Sequence, residues 1–335
     1  MVTIKDIAKQ LGISHTTVSR ALNNSPLVKP ETRAHIQSVA KELNYVPNFN
    51  AKSLVNQKNY MIGLFFSSIS QGTSSSFLVD TITGIRSVLD ATYSLSVEGI
   101  DEIKQLAEIN FQRYDGILVM SQSETDQAFI EHLKQQNLPF VVVNRLVDDP
   151  EIINVVADDA QGVTTGIEYA ITLGHQKIGY IGGFESFHSS NERRKALVAS
   201  LEKHELPIIP EFFRSGNYSL ESGFQQMIQL LKNPEFPTLI FCANDDMAIG
   251  AMRAIDAAGL KVPADISIIG FDDTPITSYL NPPLTTIHKP LKKISRLGTK
   301  LLLEQIEHKE VTPSRYEIPT TLVVRQSVEN LQKIT

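Results

Sequence analysis

This chain has 335 residues, and four of its polar side chains follow apolar runs or a glycine turn. In α/β proteins, ligands bind at such positions, beyond the carboxyl ends of the strands. The four residues are Asn144, Arg193, Asn244 and Asp272, with Arg193 expected to begin the helix after the Gly182-Gly183 turn. A carboxylate, two amides and a guanidinium can exchange paired hydrogen bonds with neighbouring hydroxyl groups. These residue types favour a polyhydroxylated ligand, although an Asp after a strand is also a common helix cap or turn former.

Catalytic motifs are missing from the sequence. It has no Gly-x-Ser-x-Gly elbow, no P-loop and no Gly-x-Gly-x-x-Gly, and its eight histidines include no His-x-x-x-His pair. The single cysteine, Cys242, lies inside an apolar run, which is typical of an inert buried thiol. Adjacent aspartates such as Asp272 and Asp273 cannot flank a glycosidic bond from opposite sides. The sequence therefore predicts no enzyme, no metal site and no cofactor.

Apolar runs alternate with helical patterns from about residue 59 onward, which predicts an α/β class with parallel sheets and helices on both faces. The length of this part fits two such lobes better than one. The predicted strands are Tyr60–Phe66, Tyr93–Val97, Gly116–Met120, Phe140–Asn144, Lys177–Ile181, Thr238–Cys242 and Ile266–Phe271. The predicted helices are Phe77–Leu89, Thr125–Gln136, Gly162–Leu173, Arg193–Glu205, Glu221–Leu231 and Asp245–Ala258.

Charge is distributed unevenly along the chain. Residues 1–58 carry a charge of +5, which leaves −11 for the remainder of a chain whose net charge is −6. A basic head on an acidic body suggests that the head meets a polyanion, although a solvated basic face is the alternative. No apolar run is long enough to span a bilayer, and the N-terminus does not read as a secretory signal. With a single cysteine, these features predict a cytoplasmic protein that makes no membrane contact.

Three short helices are predicted in the head. The first is Ile4–Leu11, ended by Gly12; the second is Ser14–Asn23, with Ser14 as its N-cap. A third helix begins at Pro30 and stops at Asn44. Two short helices joined by a tight glycine-containing turn form a helix-turn-helix unit. The exposed polar face of the second helix suits the major groove of DNA, although packed helical hairpins are common.

The sequence of the head resembles the lactose/galactose repressor family of bacterial transcription regulators. The resemblance rests on Thr3-Ile4-Lys5-Asp6-Ile7-Ala8, Gly12-Ile13-Ser14, Thr17-Val18-Ser19-Arg20-Ala21-Leu22-Asn23 and Leu43-Asn44-Tyr45-Val46-Pro47-Asn48. It continues in the body through Ala243-Asn244-Asp245-Asp246, Ile268-Ile269-Gly270-Phe271-Asp272-Asp273 and Arg325-Gln326-Ser327. It therefore covers essentially the whole chain.

The resemblance implies a set of DNA contacts in residues 1–58. His15, Thr16 and Arg20 hold base-reading positions. Phosphate and positioning contacts fall on Thr3, Ser14, Thr17 and Ser19, with simple capping as the alternative for the two serines. Asn23, Asn48 and Ala51 complete the set, together with Lys52 and Leu54 of the segment discussed next.

Residues 48–55 resemble the hinge of the family, a segment that becomes helical when two subunits meet on DNA. Leu54 holds the place of the leucine that wedges into the minor groove. So short and polar a segment cannot form a stable helix alone, so coupling of its folding to DNA is reasonable. Lys52 stands where family members often have Arg, which keeps the charge and loses the planar fork.

For residues 59–335 the resemblance implies a periplasmic-binding-protein-like core of two doubly wound parallel-sheet lobes. Lobe 1 is expected to comprise residues 59–157 and 288–318, and lobe 2 residues 158–287 and 319–331. The effector would bind in the cleft between the lobes. The implied effector-binding residues are Ser70, Phe77, Asn144, Arg193, Tyr218, Asn244 and Asp272, with packing as the alternative for Tyr218 and Arg194 as the fallback for Arg193.

Two departures from the family pattern affect the effector site. The segment Ser67–Phe77 is rich in serine where family members usually have Pro-Asp-x-x-Asn-Pro-Phe-Phe, and Lys289 replaces a common Gln at a lobe crossing. The function expected is a homodimeric repressor of carbohydrate-utilisation genes that binds pseudo-palindromic operator DNA and responds to a sugar. A purine-responsive or phosphoprotein-responsive regulator, or a cytosolic sugar-binding protein without a DNA role, are the alternatives.

Overall fold

The computed structural model describes residues 2–22, 24–45, 58–309 and 311–333. The chain forms two compact units, Met1–Asn59 and Tyr60–Thr335, called here the head and the body. Asn23, Asn48, Ala51, Lys52 and Leu54, and with them the expected hinge helix 48–55, lie outside the described residues.

The head contains three helices, α1 (Ile4–Leu11), α2 (His15–Leu22) and α3 (Pro30–Glu42). Gly12 ends α1 with a left-handed φ of 64°, a conformation that glycine adopts without steric penalty. The Ser14 hydroxyl accepts the Thr17 N–H at 3.0 Å and so begins α2. One apolar core fixes the three helices, and its fully buried members include Ile7, Val18 and Ile36. The helix-turn-helix expected from the sequence is therefore present.

The body contains two sheets of six strands each within the described residues. The first sheet has the order β2-β1-β3-β4-β5-β11, with every pair parallel. Its strands are β1 (Met61–Phe66), β2 (Ser94–Gly99), β3 (Gly116–Met120), β4 (Phe140–Val143), β5 (Asn154–Asp158) and β11 (Arg315–Pro319). The helices of this lobe are α4 (Ser75–Arg86), α5 (Gln127–Gln135) and α10 (Leu291–Ile306).

The second sheet has the order β7-β6-β8-β9-β10-β12, and only the β10–β12 pair is antiparallel. Its strands are β6 (Ile178–Gly182), β7 (Phe213–Ser215), β8 (Leu239–Cys242), β9 (Ser267–Asp272), β10 (Thr285–His288) and β12 (Thr321–Val323). The helices of this lobe are α6 (Asp159–Thr172), α7 (His188–Lys203), α8 (Leu220–Leu230) and α9 (Asp245–Ala257). Short 3-10 turns occur at Ile100–Glu102, Leu106–Glu108, Glu124–Asp126, Pro210–Phe212, Pro275–Tyr279 and Leu331–Lys333. The α/β class with two parallel-sheet lobes is confirmed.

The chain passes between the two sheets three times: after Asp158, after His288 and at Thr320. At the third crossing the Thr320 hydroxyl donates to the backbone oxygen of Asp158 at 2.8 Å, which ties two crossings together. Asp159 and Lys289 stand on the first and second crossings. Residues at the crossings lie between the lobes and can therefore contact groups from both.

One predicted helix start is wrong. Helix α7 begins at His188, five residues before Arg193, so Arg193 lies in the second turn of the helix and not at its start. The polar segment Ser189–Glu192 resembles a loop in sequence, but Ser190 stabilises the turn before it by accepting the Gly183 N–H at 3.2 Å. This places the side chain of Arg193 inside the molecule, and the residue is 3% exposed.

Candidate functional site

The exposed side of α2 carries the side chains predicted to meet DNA. His15, Thr16 and Arg20 are exposed, whereas Val18 on the opposite side is fully buried. A helix held by its apolar face and presenting short polar groups and one Arg outward can enter a major groove. Thr17 and Ser19 are half-buried at the flanks of this surface.

Thr3 immediately precedes α1, and Ser14 immediately precedes α2. Ser14 Oγ lies 2.9 Å from Thr17 Oγ1 and also caps α2, so the capping alternative describes its contacts within the chain. At α1, the N–H and hydroxyl of Thr3 donate to one Asp6 carboxylate oxygen at 2.8 and 2.7 Å. These hydrogen bonds lower the pKa of Asp6. Both residues are exposed, so their capping contacts leave them accessible to a phosphate.

A cavity of about 30 Å³ lies between the two lobes of the body. Six of the seven predicted effector residues line it: Phe77, Asn144, Arg193, Tyr218, Asn244 and Asp272. Ser70 does not; it is exposed in the loop after β1, with its hydroxyl 3.3 Å from that of Ser68. The fallback residue Arg194 is exposed and lines a different cavity.

Five further residues line the same cavity and were not predicted: Gly72, Ser74, Gln122, Ser189 and Lys289. Gln122 follows β3, so the rule that ligands bind beyond strand ends would have found it. Lys289 stands out in the sequence only as a departure from the family pattern. The positions of Gly72, Ser74 and Ser189 depend on loop and helix starts that periodicity does not fix.

A buried ionic cluster forms one wall of the cavity. Arg193 donates from Nε and Nη2 to one carboxylate oxygen of Asp159, at 2.9 and 2.8 Å. Its Nη1 donates to the backbone oxygen of Ala243, and its guanidinium carbon lies 3.6 Å from the centroid of the Phe271 ring. Lys289 Nζ donates to Asn144 Oδ1 at 2.7 Å and lies 3.4 Å from the other oxygen of Asp159.

The ionisation of the cluster follows from burial and from these pairings. Burial disfavours the charged form of Arg193, but the charge of Asp159 outweighs it and raises the pKa of the guanidinium. Burial by itself would raise the pKa of the Asp159 carboxyl. The charges of Arg193 and Lys289 together outweigh burial and lower it. For Lys289, burial is the larger effect and lowers the pKa of the ammonium.

Asp272 is the carboxyl group of the cavity that stays available to a ligand. Its side chain forms no hydrogen bond with any part of the chain that the structure describes, and its φ is 115°. Burial raises the pKa of Asp272 to about 6, in spite of the opposing charges of Arg193 and Lys289. A carboxyl that lines a cavity and has no hydrogen-bond partner among the described residues can accept hydrogen bonds from ligand hydroxyls.

Asn244 and Tyr218 are held by contacts within the second lobe. Asn244 Oδ1 caps α9 by accepting the Met247 N–H at 2.9 Å, and its amide donates to the Tyr218 backbone oxygen at 2.9 Å. The Tyr218 ring stacks on Phe187 with centroids 5.7 Å apart, and its hydroxyl lies 3.3 Å from Ser189 Oγ. Tyr218 therefore both packs within the second lobe and lines the cavity.

Asp245 and Asp273 are occupied by contacts inside the lobe, in line with the turn-forming alternative. The carboxylate of Asp245 accepts the Thr286 hydroxyl at 2.5 Å and the Thr274 N–H at 2.7 Å. Burial raises the pKa of Asp245 well above its usual range. Asp273 accepts from Arg325 Nη2 at 2.7 Å and lies 3.2 Å from His288 Nδ1.

Other kinds of site find little support. In the ranges 2–22, 24–45, 58–309 and 311–333, no three His, Cys, Asp or Glu residues are grouped so that they could hold a metal ion. Cys242 is fully buried, and burial raises the pKa of its thiol, which keeps it in the unreactive protonated form. Among the helices formed by these residues, none is long and apolar enough to cross a membrane.

Comparison with known families gives two matches. Residues 3–48 match the bacterial regulatory proteins of the lacI family, and residues 167–328 match the periplasmic binding protein-like domain. The chain is 50% identical over 331 residues to the "Probable HTH-type transcriptional repressor ExuR" of Bacillus subtilis (strain 168), covering 99% of both chains. It is 34% identical to the "HTH-type transcriptional repressor PurR" of Yersinia pestis (strain Pestoides F), covering 98% of this chain and 97% of that protein.

Solved structures with the same architecture include regulators bound to DNA or to sugars. The lac repressor dimer bound to operator and the anti-inducer ONPF has a TM-score of 0.84 at 30% identity, covering 98% of this chain and 99% of that one. A complex of the transcriptional regulator CelR with cellobiose has a TM-score of 0.74 at 25% identity, covering 98% and 100%. A regulator from Enterococcus faecium with bound ribose has a TM-score of 0.73 at 26% identity, covering 81% and 99%.

Proposed function

The chain belongs to the lacI family of bacterial regulatory proteins, and from this membership we propose that it represses carbohydrate-utilisation genes in response to a sugar bound between its lobes. The family resemblance noted in the sequence is confirmed, and with it the assignment as a DNA-binding transcriptional regulator. Its relatives are repressors, so the prediction of a regulator in place of an enzyme holds. The sugar, the target genes and the contact residues are proposals.

The single observation that carries the sugar proposal is the composition of the cavity between the lobes. Hydrogen-bonding side chains outnumber apolar ones in its lining. Asp272 offers a carboxyl that forms no hydrogen bond with the described residues, and Gln122, Ser74 and Ser189 add neutral donors and acceptors that suit hydroxyl groups. Phe77 and Tyr218 provide aromatic surface for the apolar face of a sugar ring.

Both lobes contribute to this cavity, which supports a regulatory role for ligand binding. The backbone oxygen of Gln122 in the first lobe accepts the backbone N–H of His188 in the second lobe at 2.9 Å. Lys289, on the second crossing, donates from Nζ to Asn144 Oδ1 of the first lobe at 2.7 Å. A ligand that contacts both sides changes the equilibrium between open and closed arrangements by its differential affinity for them. In such systems the coupling between effector and DNA sites is typically about 1–3 kcal/mol.

For the DNA side we propose that two chains pair through their bodies and place two α2 helices on a pseudo-palindromic operator. His15, Thr16 and Arg20 would read bases, and Thr3, Ser14, Thr17 and Ser19 would contact the backbone. For Asn23, Asn48, Ala51, Lys52 and Leu54 the contacts stay predictions from the family resemblance. A repressor works where the bacterial DNA lies, so membership of this family supports a cytoplasmic location.

A two-part experiment tests the proposal. First, selection from random-sequence DNA with the full chain should yield a pseudo-palindromic site, and Arg20→Ala should weaken binding to it. Second, a thermal-shift panel of sugars and purines should reveal a ligand that raises the stability of the protein by about 2.7 kcal/mol at a hundredfold excess over Kd. That shift should disappear in Asp272→Ala.

The outcomes separate the alternatives. A ligand that changes operator affinity in the parent chain and not in Asp272→Ala supports the cleft as the effector site. A response to purines alone would replace the sugar with a purine effector. If no small molecule acts and a phosphoprotein changes operator affinity, the effector is a partner protein. A chain that binds sugars and selects no DNA sequence would refute the regulatory role.

A further inference from the structure

A second cavity, of about 520 Å³, is formed entirely by residues of the second lobe. None of the residues that line it also lines the cavity between the lobes. Its walls come from β6, β7, the first three turns of α7 and the segment between α7 and β7. Small-molecule sites in proteins commonly have volumes of about 300–1,000 Å³. The cavity is therefore large enough for a metabolite, and the proposed sugar response makes no use of it.

Two arginine side chains in this lining have no partner within the described part of the chain. Arg194, in the second turn of α7, is exposed, and Arg214, in β7, is half-buried. Neither forms a hydrogen bond or an ion pair with the described residues. The Nε atom of Arg214 is buried all the same. A buried donor without an acceptor is unfavourable, so a ligand oxygen that accepts from it would stabilise the site.

The carboxylate in the lining does not neutralise these two arginines. Glu185 is exposed, and its Oε1 accepts the Ser215 hydroxyl at 2.9 Å. Glu185 forms no ion pair with Arg194 or Arg214 among the described residues. Because residues 59–335 carry a net charge of −11, two arginines without a carboxylate partner do not reflect a generally basic surface. The cavity therefore offers positive charge to a ligand anion.

Much of the remaining lining is apolar. Val198, Ile208, Pro210 and Phe213 contribute hydrocarbon surface, and Ile208 is 39% exposed. An inorganic anion would leave this surface in contact with water, whereas an organic ligand would cover it, which is favourable. The lining therefore fits a molecule that has both an anionic group and an organic part.

We propose that this cavity is a second ligand site, which binds the phosphate of a phosphate monoester through Arg194 and Arg214. Each guanidinium presents five N–H donors in a planar fork, and a phosphate has three terminal oxygens and a charge close to −2, so it matches two such groups. A carboxylate has two oxygens and a single charge, which one arginine satisfies. This site is separate from the proposed sugar site and does not depend on it.

Mononucleotides and sugar phosphates both carry a phosphate monoester. The apolar surface beside the arginines favours the flat base of a nucleotide over a polyhydroxylated sugar, because hydroxyl groups need hydrogen-bond partners when they leave water. We therefore expect a nucleotide to bind more tightly than a sugar phosphate.

Isothermal titration of the full-length protein at constant ionic strength tests the inference. Adenosine 5′-monophosphate (AMP) is compared with adenosine, which lacks the phosphate, and with glucose 6-phosphate and inorganic phosphate, which lack the base. A charge-assisted hydrogen bond is worth roughly 10- to 100-fold in affinity. We expect AMP to bind about tenfold or more tightly than adenosine and than inorganic phosphate.

Four variants assign this binding to the second cavity. Arg194→Gln and Arg214→Gln should each weaken AMP binding about tenfold or more. Lys195→Gln removes an exposed charge from the neighbouring position of α7, outside the cavity, and should bind AMP like the parent. Asp272→Ala changes the cavity between the lobes and should also retain AMP binding. Circular dichroism verifies the fold of each variant.

The outcomes decide the inference. Binding of glucose 6-phosphate that depends on the same two arginines would support the phosphate site and assign it to sugar phosphates. Four results would overturn the inference: equal binding of AMP and adenosine, binding of phosphate esters that survives both arginine substitutions, inorganic phosphate binding as tightly as either ester, or no binding of any phosphate at millimolar concentrations. Loss of AMP binding in Asp272→Ala alone would place the nucleotide between the lobes and would likewise overturn it.

Discussion

The carboxyl group of Asp272 gives the stability of the body a pH dependence that one substitution isolates. Burial raises the pKa of this group to about 6, whereas an Asp in an unfolded chain titrates near pH 4. Between these values the folded chain binds more protons than the unfolded chain. The stabilising contribution of the group is therefore fully present below about pH 4 and is lost as the pH rises through about 6.

The size of the effect follows from the two pKa values. A difference of about 2 pH units corresponds to about 3 kcal/mol when the group is fully ionised. About half of this change falls between pH 5 and pH 7. Asp272→Asn introduces a neutral group of similar shape that does not titrate. We expect the free energy of unfolding of the variant, relative to the parent, to rise by about 1 kcal/mol between pH 5 and pH 7.

Urea denaturation at pH 5, 6 and 7 and constant ionic strength measures this difference. Circular dichroism is a suitable probe because the chain has no tryptophan. Asp101→Asn is the matched control, since Asp101 is an exposed aspartate of the first lobe. The charged neighbours that contribute most to the pKa of Asp272 are Arg193, Lys289, Asp159 and Asp246, and all are present in both variants. A difference between Asp272→Asn and the parent that does not vary with pH would refute the assignment of a raised pKa to this carboxyl.

Three further substitutions test the packing and the head. Arg193→Met should destabilise the body by about 3–5 kcal/mol, measured by urea denaturation, because it removes the hydrogen-bonded partner of the buried Asp159. A loss under about 1 kcal/mol would contradict the buried ion pair. Gly250→Ala should lower the melting temperature and reduce the free energy of unfolding by about 1–3 kcal/mol, because the new Cβ would lie 2.0 Å from the Leu220 backbone oxygen. An unchanged melting curve would show that α8 and α9 are less closely packed than described. His15→Ala should leave the free energy of unfolding within about 0.5 kcal/mol of the parent value. It should also weaken the preference for one base pair of the DNA site by about 1–3 kcal/mol. Selection of the same DNA site with the same stringency would exclude base reading by His15.

The architecture was largely accessible from the sequence because it depends on local patterns. Gly12 and Ser14 set the end of α1 and the start of α2, and the bounds of α1 and β3 agree with prediction. Apolar runs identified the central strands, whose residues are buried on both faces. Strands β5, β7, β10, β11 and β12 and helix α10 were not singled out, since short strands and partly polar segments carry weak periodicity.

The sequence also placed most of the cavity lining, through the positions after strand ends and through family resemblance. Asn144 follows β4 of the first lobe and Asp272 is the last residue of β9 in the second, and the fold brings them to one cavity. Ser70 was expected there too, but the loop after β1 turns so that Gly72 and Ser74 line the cavity instead. Loop conformation depends on backbone torsions and long-range contacts that residue types alone do not fix.

The sequence by itself determined the helix-turn-helix, the two-lobed α/β class and the polar character of the cleft, because spacing and residue type decide these locally. Only the tertiary structure decided which groups in the cleft are already satisfied. Asp159, Arg193 and Lys289 are separated by up to 130 residues in the chain and meet at the crossings between the lobes. Their pairing leaves the carboxyl of Asp272 without a hydrogen bond among the described residues, since the pairing of buried charges is set by distances between elements.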